Sequence, residues 1–132
     1  MMTASRPRLL LIDDEPALAR FLADAAGLSG FDPVIAQDHR DFRDKFRTEH
    51  PDMVAIDLGM PGMDGIELLR FLADQQAVQP IMIISGFDNR IIDTAFRLGE
   101  ALGLTMVGPV TKPARLDALE SIFHQVRERL AA

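Results

Sequence analysis

The sequence predicts one α/β domain with a parallel five-stranded sheet and helices on both faces. Short apolar runs bounded by turn residues alternate five times with amphipathic segments at helical spacing, which is the pattern of repeated βα units. Runs such as residues 8–12 and 80–84 are almost wholly apolar, as expected of central strands buried on both faces. Right-handed crossovers between parallel strands then place helices on both sides of the sheet.

Length and composition indicate an ordinary globular protein. The 132 residues fit a single domain, 1–132 with a core over 8–130, and are 48% hydrophobic and 26% charged. A net charge of −6 argues against direct nucleic-acid binding through a general basic patch. The absence of cysteine excludes disulfides and thiol nucleophiles. No apolar run approaches the ~20 residues of a membrane span, and no signal peptide is recognisable, so we expect a cytoplasmic protein without membrane contacts.

The first half of the chain holds two βα units and a third strand. Residues 8–12 form the first strand, and we expect Asp14 to cap a helix that is stopped by the stretch from Gly27 to Gly30. Residues 31–36 form the second strand, and a polar helix follows from about 38 to 49. The third strand ends abruptly in Asp57, before a Gly- and Pro-rich turn.

The second half repeats the alternation. It comprises a helix from about residue 64, a strand at 80–84, a helix from about 88, a strand at 104–110, and a helix at 114–129. Gly108 and Pro109 would be tolerated poorly in a central strand, so the fifth strand is expected at an edge of the sheet. Thr111 to Pro113 are predicted to form a loop.

Candidate site residues are the polar side chains that follow the first, third, fourth and fifth predicted strands. All carboxyl ends of a parallel sheet share one edge, and a flavodoxin-like strand order, 2-1-3-4-5, sets the first and third strands side by side. We therefore expect these groups to converge: Asp13, Asp14, Asp57, Ser85 and Lys112.

Converging carboxylates repel one another, and a hard divalent cation such as Mg²⁺ relieves that repulsion. Lys112 supplies a further positive charge. The site is therefore suited to a dianionic phosphoryl group, with Asp57 as the candidate nucleophile and Ser85 as a hydrogen-bond donor.

These residues resemble the receiver domain of two-component response regulators. The resemblance covers residues 8–130 and rests on four motifs: Asp13-Asp14, the run from Asp57 to Gly65, Ser85-Gly86, and Lys112-Pro113. It implies that Asp57 accepts a phosphoryl group from a sensor histidine kinase or a histidine phosphotransfer protein and then switches contacts with an output protein. It further implies self-catalysed transfer and slow autodephosphorylation rather than enzymatic turnover.

The resemblance also assigns roles to the site residues. It implies that Mg²⁺ or Mn²⁺ is held by Asp13, Asp14, Asp57 and the backbone carbonyl of Gly59. Ser85 becomes the switch hydroxyl, and Lys112 contacts the phosphoryl group. The Lys112–Pro113 peptide bond is expected to be cis.

Three features depart from the family pattern. Pro109 stands where receivers usually carry Tyr or Phe, so the usual relay between hydroxyl and aromatic ring is missing. The stretch from Ser85 to Lys112 is longer than usual, and we place the extra length in residues 98–104, which predicts an altered fourth helix or loop. Phe87 is hypothesised to shield the acyl phosphate and slow its hydrolysis.

Two other functions stay open at this point. Pro109 favours a phosphorylation-independent interaction module that keeps the fold while its switch is inert. An aspartyl-phosphate phosphatase is disfavoured, because such enzymes carry Asp-x-Asp on the first strand and need a substrate pocket that this length barely allows. A homodimer through the altered fourth helix is a further arrangement that the sequence leaves open.

Overall fold

A computed structural model describes residues 6–58, 64–86 and 89–131. Within these ranges the chain alternates strictly between strand and helix, as predicted. The elements are β1 (Arg8–Ile12), α1 (Pro16–Leu28), β2 (Asp32–Ala36), α2 (His39–Glu49), β3 (Met53–Asp57), α3 (Asp64–Asp74), β4 (Pro80–Ser85), α4 (Asn89–Ala101), β5 (Thr105–Thr111) and α5 (Leu116–Ala131). No helix among these combines the length and apolar character needed to cross a bilayer.

The five strands form one parallel sheet in the order β2-β1-β3-β4-β5, which confirms the predicted topology. β1 and β3 are neighbours, and Ile12 pairs with Ile56 at their carboxyl ends. The residues that follow, Asp13 and Asp57, therefore emerge side by side. Asp57 in turn pairs with Ile84, so β4 continues the same edge.

Two apolar layers sandwich the sheet. Alternate residues of β1 point to opposite faces. Leu10 and Ile12 belong to the apolar layer that includes residues of α2, α3 and α4, whereas Leu9 and Leu11 belong to the layer that includes residues of α1 and α5. All four side chains are at most 3% exposed. Burial on both faces explains why these strands are apolar throughout. The same packing holds the strand ends in place, and the site residues follow directly after them.

The start of α1 corrects one prediction. Glu15, not Asp14, is the N-cap residue, and it makes no side-chain capping bond. Instead the backbone N–H of Glu15 donates to Asp13 Oδ1 at 2.9 Å. This local turn leaves the Asp14 side chain exposed at the edge of the sheet.

β5 lies at the sheet edge, as predicted, but it extends through Thr111, where the sequence predicts a loop. Met82 pairs with Val107 and Ile84 with Val110, so β5 holds one extra residue at this point and forms a bulge. Gly108 adopts φ +87° there, a conformation that a side chain would strain, and Pro109 is exposed. The cis Lys112–Pro113 bond confirms the expectation.

The opposite edge strand, β2, also contains a proline. The backbone N–H of Asp32 donates to the carbonyl of Pro7 at 2.8 Å, so this nitrogen faces β1. Backbone groups alternate along a strand, and the nitrogen of Pro33 therefore faces outward, where it offers no donor.

Candidate functional site

Three carboxylates meet where β1 and β3 end. One oxygen from each of Asp13, Asp14 and Asp57 lies within 4.8 Å of the other two. Asp57 is 1% exposed and Asp13 is 7% exposed, whereas Asp14 is open to solvent. We call these three residues the carboxylate cluster. Its members come from adjacent strand ends, which is why the sequence could predict their convergence.

Asp13 has one oxygen without a hydrogen bond. Its Oδ1 accepts the backbone N–H of Glu15, but Oδ2 is buried and accepts no hydrogen bond from any described residue. Burial, together with the neighbouring charge of Asp57, raises the pKa of Asp13 to about 6 against the opposing effects of the Glu15 N–H and Lys112. A buried carboxylate oxygen in this condition is suited to a cation.

Lys112 brings a positive charge to the carboxylate cluster. Its Nζ lies 3.1 Å from Asp57 Oδ2, 3.3 Å from Glu15 Oε1 and 3.7 Å from Asp13 Oδ2. Burial alone would lower the pKa of Lys112, but the hydrogen bond and charge of Asp57, helped by Asp13 and Glu15, raise it above its ordinary value. The ammonium group therefore stays charged beside the cluster.

Backbone hydrogen bonds hold the strand ends in place. The N–H of Leu58 donates to the carbonyl of Ile84 at 2.8 Å, and the N–H of Lys112 donates to that of Ser85 at 2.9 Å. Ser85 is completely buried at the end of β4 and pairs with Thr111. Leu58, directly after Asp57, also touches the start of α3, since a Cβ on Gly65 would lie 3.2 Å from its Cα.

The structure thus brings together most of the predicted site. Asp13, Asp14, Asp57 and Lys112 form one cluster, with Ser85 at the neighbouring strand end. Two positions lie outside the described residues: Gly59, assigned a metal-binding carbonyl, and Phe87, assigned a shielding role.

Glu15 was missed as a member of the site. Its only signal in the sequence is that it extends the acidic pair Asp13-Asp14, and an exposed acid before a helix is ordinarily taken as solvated. Its contact with Lys112 joins residues 97 positions apart, so it becomes visible only once the sheet is assembled.

Chemically, the site combines hard oxygen ligands with one ammonium group. Carboxylate oxygens at this spacing could hold a divalent cation, and the unsatisfied Oδ2 of Asp13 fits that use. The lysine beside Asp57 would then complement further negative charge brought to the same point.

Comparison with known proteins agrees with this geometry. Residues 9–124 match the response regulator receiver domain family. Over 118 residues the chain is 34% identical to regulatory protein AtoC of Escherichia coli, which covers 89% of this chain and 24% of that protein. Over 114 residues it is 32% identical to transcriptional regulatory protein TrcR of Mycobacterium tuberculosis, covering 85% of this chain and 42% of the relative.

A solved structure shares the fold over nearly the whole chain. The receiver domain of the Francisella response regulator 1452 superposes with a TM-score of 0.78 at 28% identity, covering 94% of this chain and 98% of that one. The curated relatives are much longer, since this chain spans only 24% and 42% of the two named above. The shared part is the receiver domain. The chain belongs to the response regulator receiver domain family of two-component signalling proteins.

Proposed function

We propose that the chain accepts a phosphoryl group on Asp57 and thereby acts as a switch in a two-component phosphorelay. The observation that carries this proposal is the 3.1 Å contact between Lys112 Nζ and Asp57 Oδ2, within a cluster of three carboxylates. A buried carboxylate that has both a cation site and a fixed ammonium group beside it is suited to become an acyl phosphate.

The carboxylate cluster is proposed to hold Mg²⁺ or Mn²⁺, with the backbone carbonyl of Gly59 as a further ligand. The residues present fit such an ion, because Oδ2 of Asp13 is buried without a hydrogen bond and all three side chains offer hard oxygen ligands. The bound ion would neutralise negative charge on the phosphoryl oxygens during transfer.

Asp57, Lys112 and Ser85 would each have a separate role in the phosphoryl transfer. A carboxylate oxygen of Asp57 forms a bond to phosphorus while the bond from phosphorus to the donor breaks, and the electron pair of that bond leaves with the donor. For a phosphohistidine donor the leaving group is an imidazole, which takes a proton. Lys112 pairs with a phosphoryl oxygen, and the hydroxyl of Ser85 donates to another once the group is in place.

The partners follow from this role and are also proposals. The phosphodonor would be a sensor histidine kinase or a phosphotransfer protein, and an output protein would read the phosphorylated state. The relatives named above are regulatory proteins, which supports a role in signalling rather than in metabolic turnover. A cytoplasmic location stays a prediction.

A second candidate function is a phosphorylation-independent interaction module. The observation that favours it is the exposed Pro109, at the bulge in β5, where the family pattern places an aromatic side chain. A proline ring facing solvent cannot move inward as a switch aromatic does, so the family's usual relay has no counterpart at this position.

One experiment separates these functions. The protein is incubated with Mg²⁺ and acetyl phosphate, and the intact mass is measured for the wild type and for Asp57→Asn. A phosphoryl adduct on the wild type alone supports acceptance on Asp57. An unmodified wild type supports the interaction module, and rapid turnover of several phosphoesters would instead identify a phosphatase.

A further inference from the structure

Glu15 contacts the site from an exposed position. Its side chain is 67% exposed, yet Oε1 lies 3.3 Å from Lys112 Nζ. The backbone of Glu15 is held from both sides, because its N–H donates to Asp13 Oδ1 and its carbonyl accepts the N–H of Ala19 at 2.9 Å. An exposed carboxylate on a fixed backbone is thus directed at the one ammonium group seen in contact with the carboxylate cluster.

Lys112 is shared among three carboxylates, and their environments differ. Asp57 and Asp13 are buried, with side chains 1% and 0% exposed, whereas the carboxylate of Glu15 can return to water at little cost. An ammonium group has three N–H donors. A phosphoryl group arriving at Asp57 would need one of them, and Glu15 is the acceptor most easily displaced.

The negative charge of Glu15 also repels the incoming phosphoryl group. A dianion approaching Lys112 is repelled by a carboxylate that lies within ion-pair distance of the same nitrogen. Asp13, Asp14 and Asp57 are proposed ligands of a cation that would offset their charges. Glu15 is not a member of that cluster, and among the described residues its ion-pair partner is Lys112.

We propose that Glu15 is a positioning residue that competes with the phosphoryl group for Lys112 and so weakens the affinity of the site for dianionic phosphodonors. This inference rests on the proposed function, since it assigns Glu15 a role in phosphoryl acceptance at Asp57. It makes Glu15 a determinant of donor preference, with small dianions disfavoured relative to donors of lower charge.

The test compares Glu15→Gln with Glu100→Gln. Both variants remove one exposed carboxylate, so the net charge of the protein changes equally. Glu100 lies in the last turn of α4, shortly before β5 begins. It is therefore near the amino ends of the strands, whereas Lys112 lies at their carboxyl ends. Phosphorylation rates are measured with acetyl phosphate, a dianion, and with phosphoramidate, which carries a lower net charge near neutral pH.

Glu15→Gln should lower the acetyl phosphate concentration at half-maximal rate about three- to tenfold at low ionic strength, with the maximal rate changed less than about twofold. The gain should be smaller with phosphoramidate and should shrink as salt is added, because the charge of Glu15 is exposed. Glu100→Gln should match the wild type with both donors.

A second measurement does not depend on phosphorylation. Inorganic sulfate is titrated into the metal-free protein while the backbone amide NMR signals of Lys112 and Ser85 are followed. Glu15→Gln should bind sulfate more tightly than the wild type and Glu100→Gln, by a similar factor. Equal sulfate binding in all three proteins would overturn the competition.

The remaining outcomes are separable. If the wild type and Glu15→Gln are phosphorylated with the same dependence on acetyl phosphate, the role of Glu15 is wrong while acceptance on Asp57 stands. If Glu15→Gln instead binds Mg²⁺ more weakly and needs more donor, Glu15 supports the cation and does not compete for Lys112. If no variant gains a phosphoryl adduct but sulfate binding rises in Glu15→Gln, the proposed function fails and the competition for Lys112 survives.

Discussion

The backbone N–H of Lys112 donates a 2.9 Å hydrogen bond to the carbonyl of Ser85. This bond extends the pairing of β4 and β5 by one residue beyond the partners Ser85 and Thr111. The side chain of Lys112 then reaches past β4 to Asp57 on β3, at 3.1 Å. The positive charge of the site therefore comes from a residue whose backbone is held by the sheet. Its removal should lower the free energy of unfolding of the whole domain.

Lys112→Met should destabilise the metal-free protein at pH 7.5. It would remove the ammonium group that contacts the buried carboxylates of Asp13 and Asp57, and breaking a buried ion pair in this way costs about 3–5 kcal/mol. Urea unfolding measures the change. Lys45→Met is the matched control, because Lys45 pairs with Asp41 on the surface of α2 and its loss should cost about 0.5 kcal/mol or less. Equal losses in both variants would contradict the structural role of Lys112.

The stability of the metal-free protein should depend on Asp13 between pH 4 and 6. Burial raises its pKa from the ordinary 3.8 of an aspartate to about 6 in the folded state, so over this range the folded state binds a proton that the unfolded state has lost. The Asp13 contribution to the free energy of unfolding therefore falls as the pH rises, by about 2–3 kcal/mol at most, and is fully lost above about pH 6.

Asp13→Asn isolates this effect, because an amide oxygen can still accept the N–H of Glu15. The variant should match the wild type near pH 4 and exceed it in stability at pH 7.5, when both are unfolded in urea with a chelator present. A wild type that stays the more stable protein at pH 7.5 would show that Asp13 is not destabilised by its burial.

Divalent cation affinity should fall as the pH drops through about 6. A proton on Asp13 competes directly with the ion, so the affinity for Mg²⁺ should decrease about tenfold for each pH unit below the pKa of Asp13. Calorimetric titration with MgCl₂ between pH 5 and 8 measures this. Asp13→Asn should bind more weakly at every pH and lose this dependence. A wild-type affinity that does not change with pH would place the ion away from Asp13.

Gly65→Ala should disturb the start of α3. An added Cβ would lie 2.7 Å from Leu58 Cδ2 and 3.2 Å from Leu58 Cα, and the backbone atom cannot swing aside as the methyl group can. We expect a loss of about 1–2 kcal/mol in thermal or urea unfolding, together with slower phosphorylation of Asp57. Gly27→Ala, inside α1 with nothing within 4 Å of its Cβ, should instead gain about 0.5 kcal/mol.

Gly108→Ala should destabilise the bulge in β5. Gly108 has φ +87°, and an added Cβ would lie 3.3 Å from the backbone nitrogen of Val110, so conformational strain and crowding act together. We expect a loss of about 2 kcal/mol, compared with about 1 kcal/mol for Gly103→Ala, where φ is +85° but the space is open. Losses of the same size at both positions would mean that crowding at the bulge contributes nothing.

The sequence predicted the fold and most of the site because both follow from simple periodicity. Apolar runs that end in polar residues define strand ends, and parallel strands bring those ends to one edge, which is how Asp13, Asp57 and Lys112 could be placed together. Details that depend on competing local hydrogen bonds were harder to predict from the sequence. Asp14 and Glu15 are both acidic residues before Pro16, and their order alone does not tell which of them takes the N-cap position.

The bulge in β5 could not be predicted from the sequence either. Gly108 and Pro109 indicated an edge strand, but the extra residue appears only when β5 is counted against β4, a pairing between distant segments of the chain. The contact between Glu15 and Lys112 has the same origin, because it depends on the side-chain conformation of an exposed residue in an assembled sheet.

The prolines of the two outermost strands restrict how copies of this protein can associate. A strand from another chain that added to β2 would find no donor at Pro33, and one that added to β5 would meet Pro109 at the bulge. Both prolines therefore disfavour growth of the sheet across molecules, which should lower the tendency of concentrated protein towards β-type aggregation. The helical surfaces are then the favoured place for self-association, because their side chains can change without altering the sheet that holds Asp57.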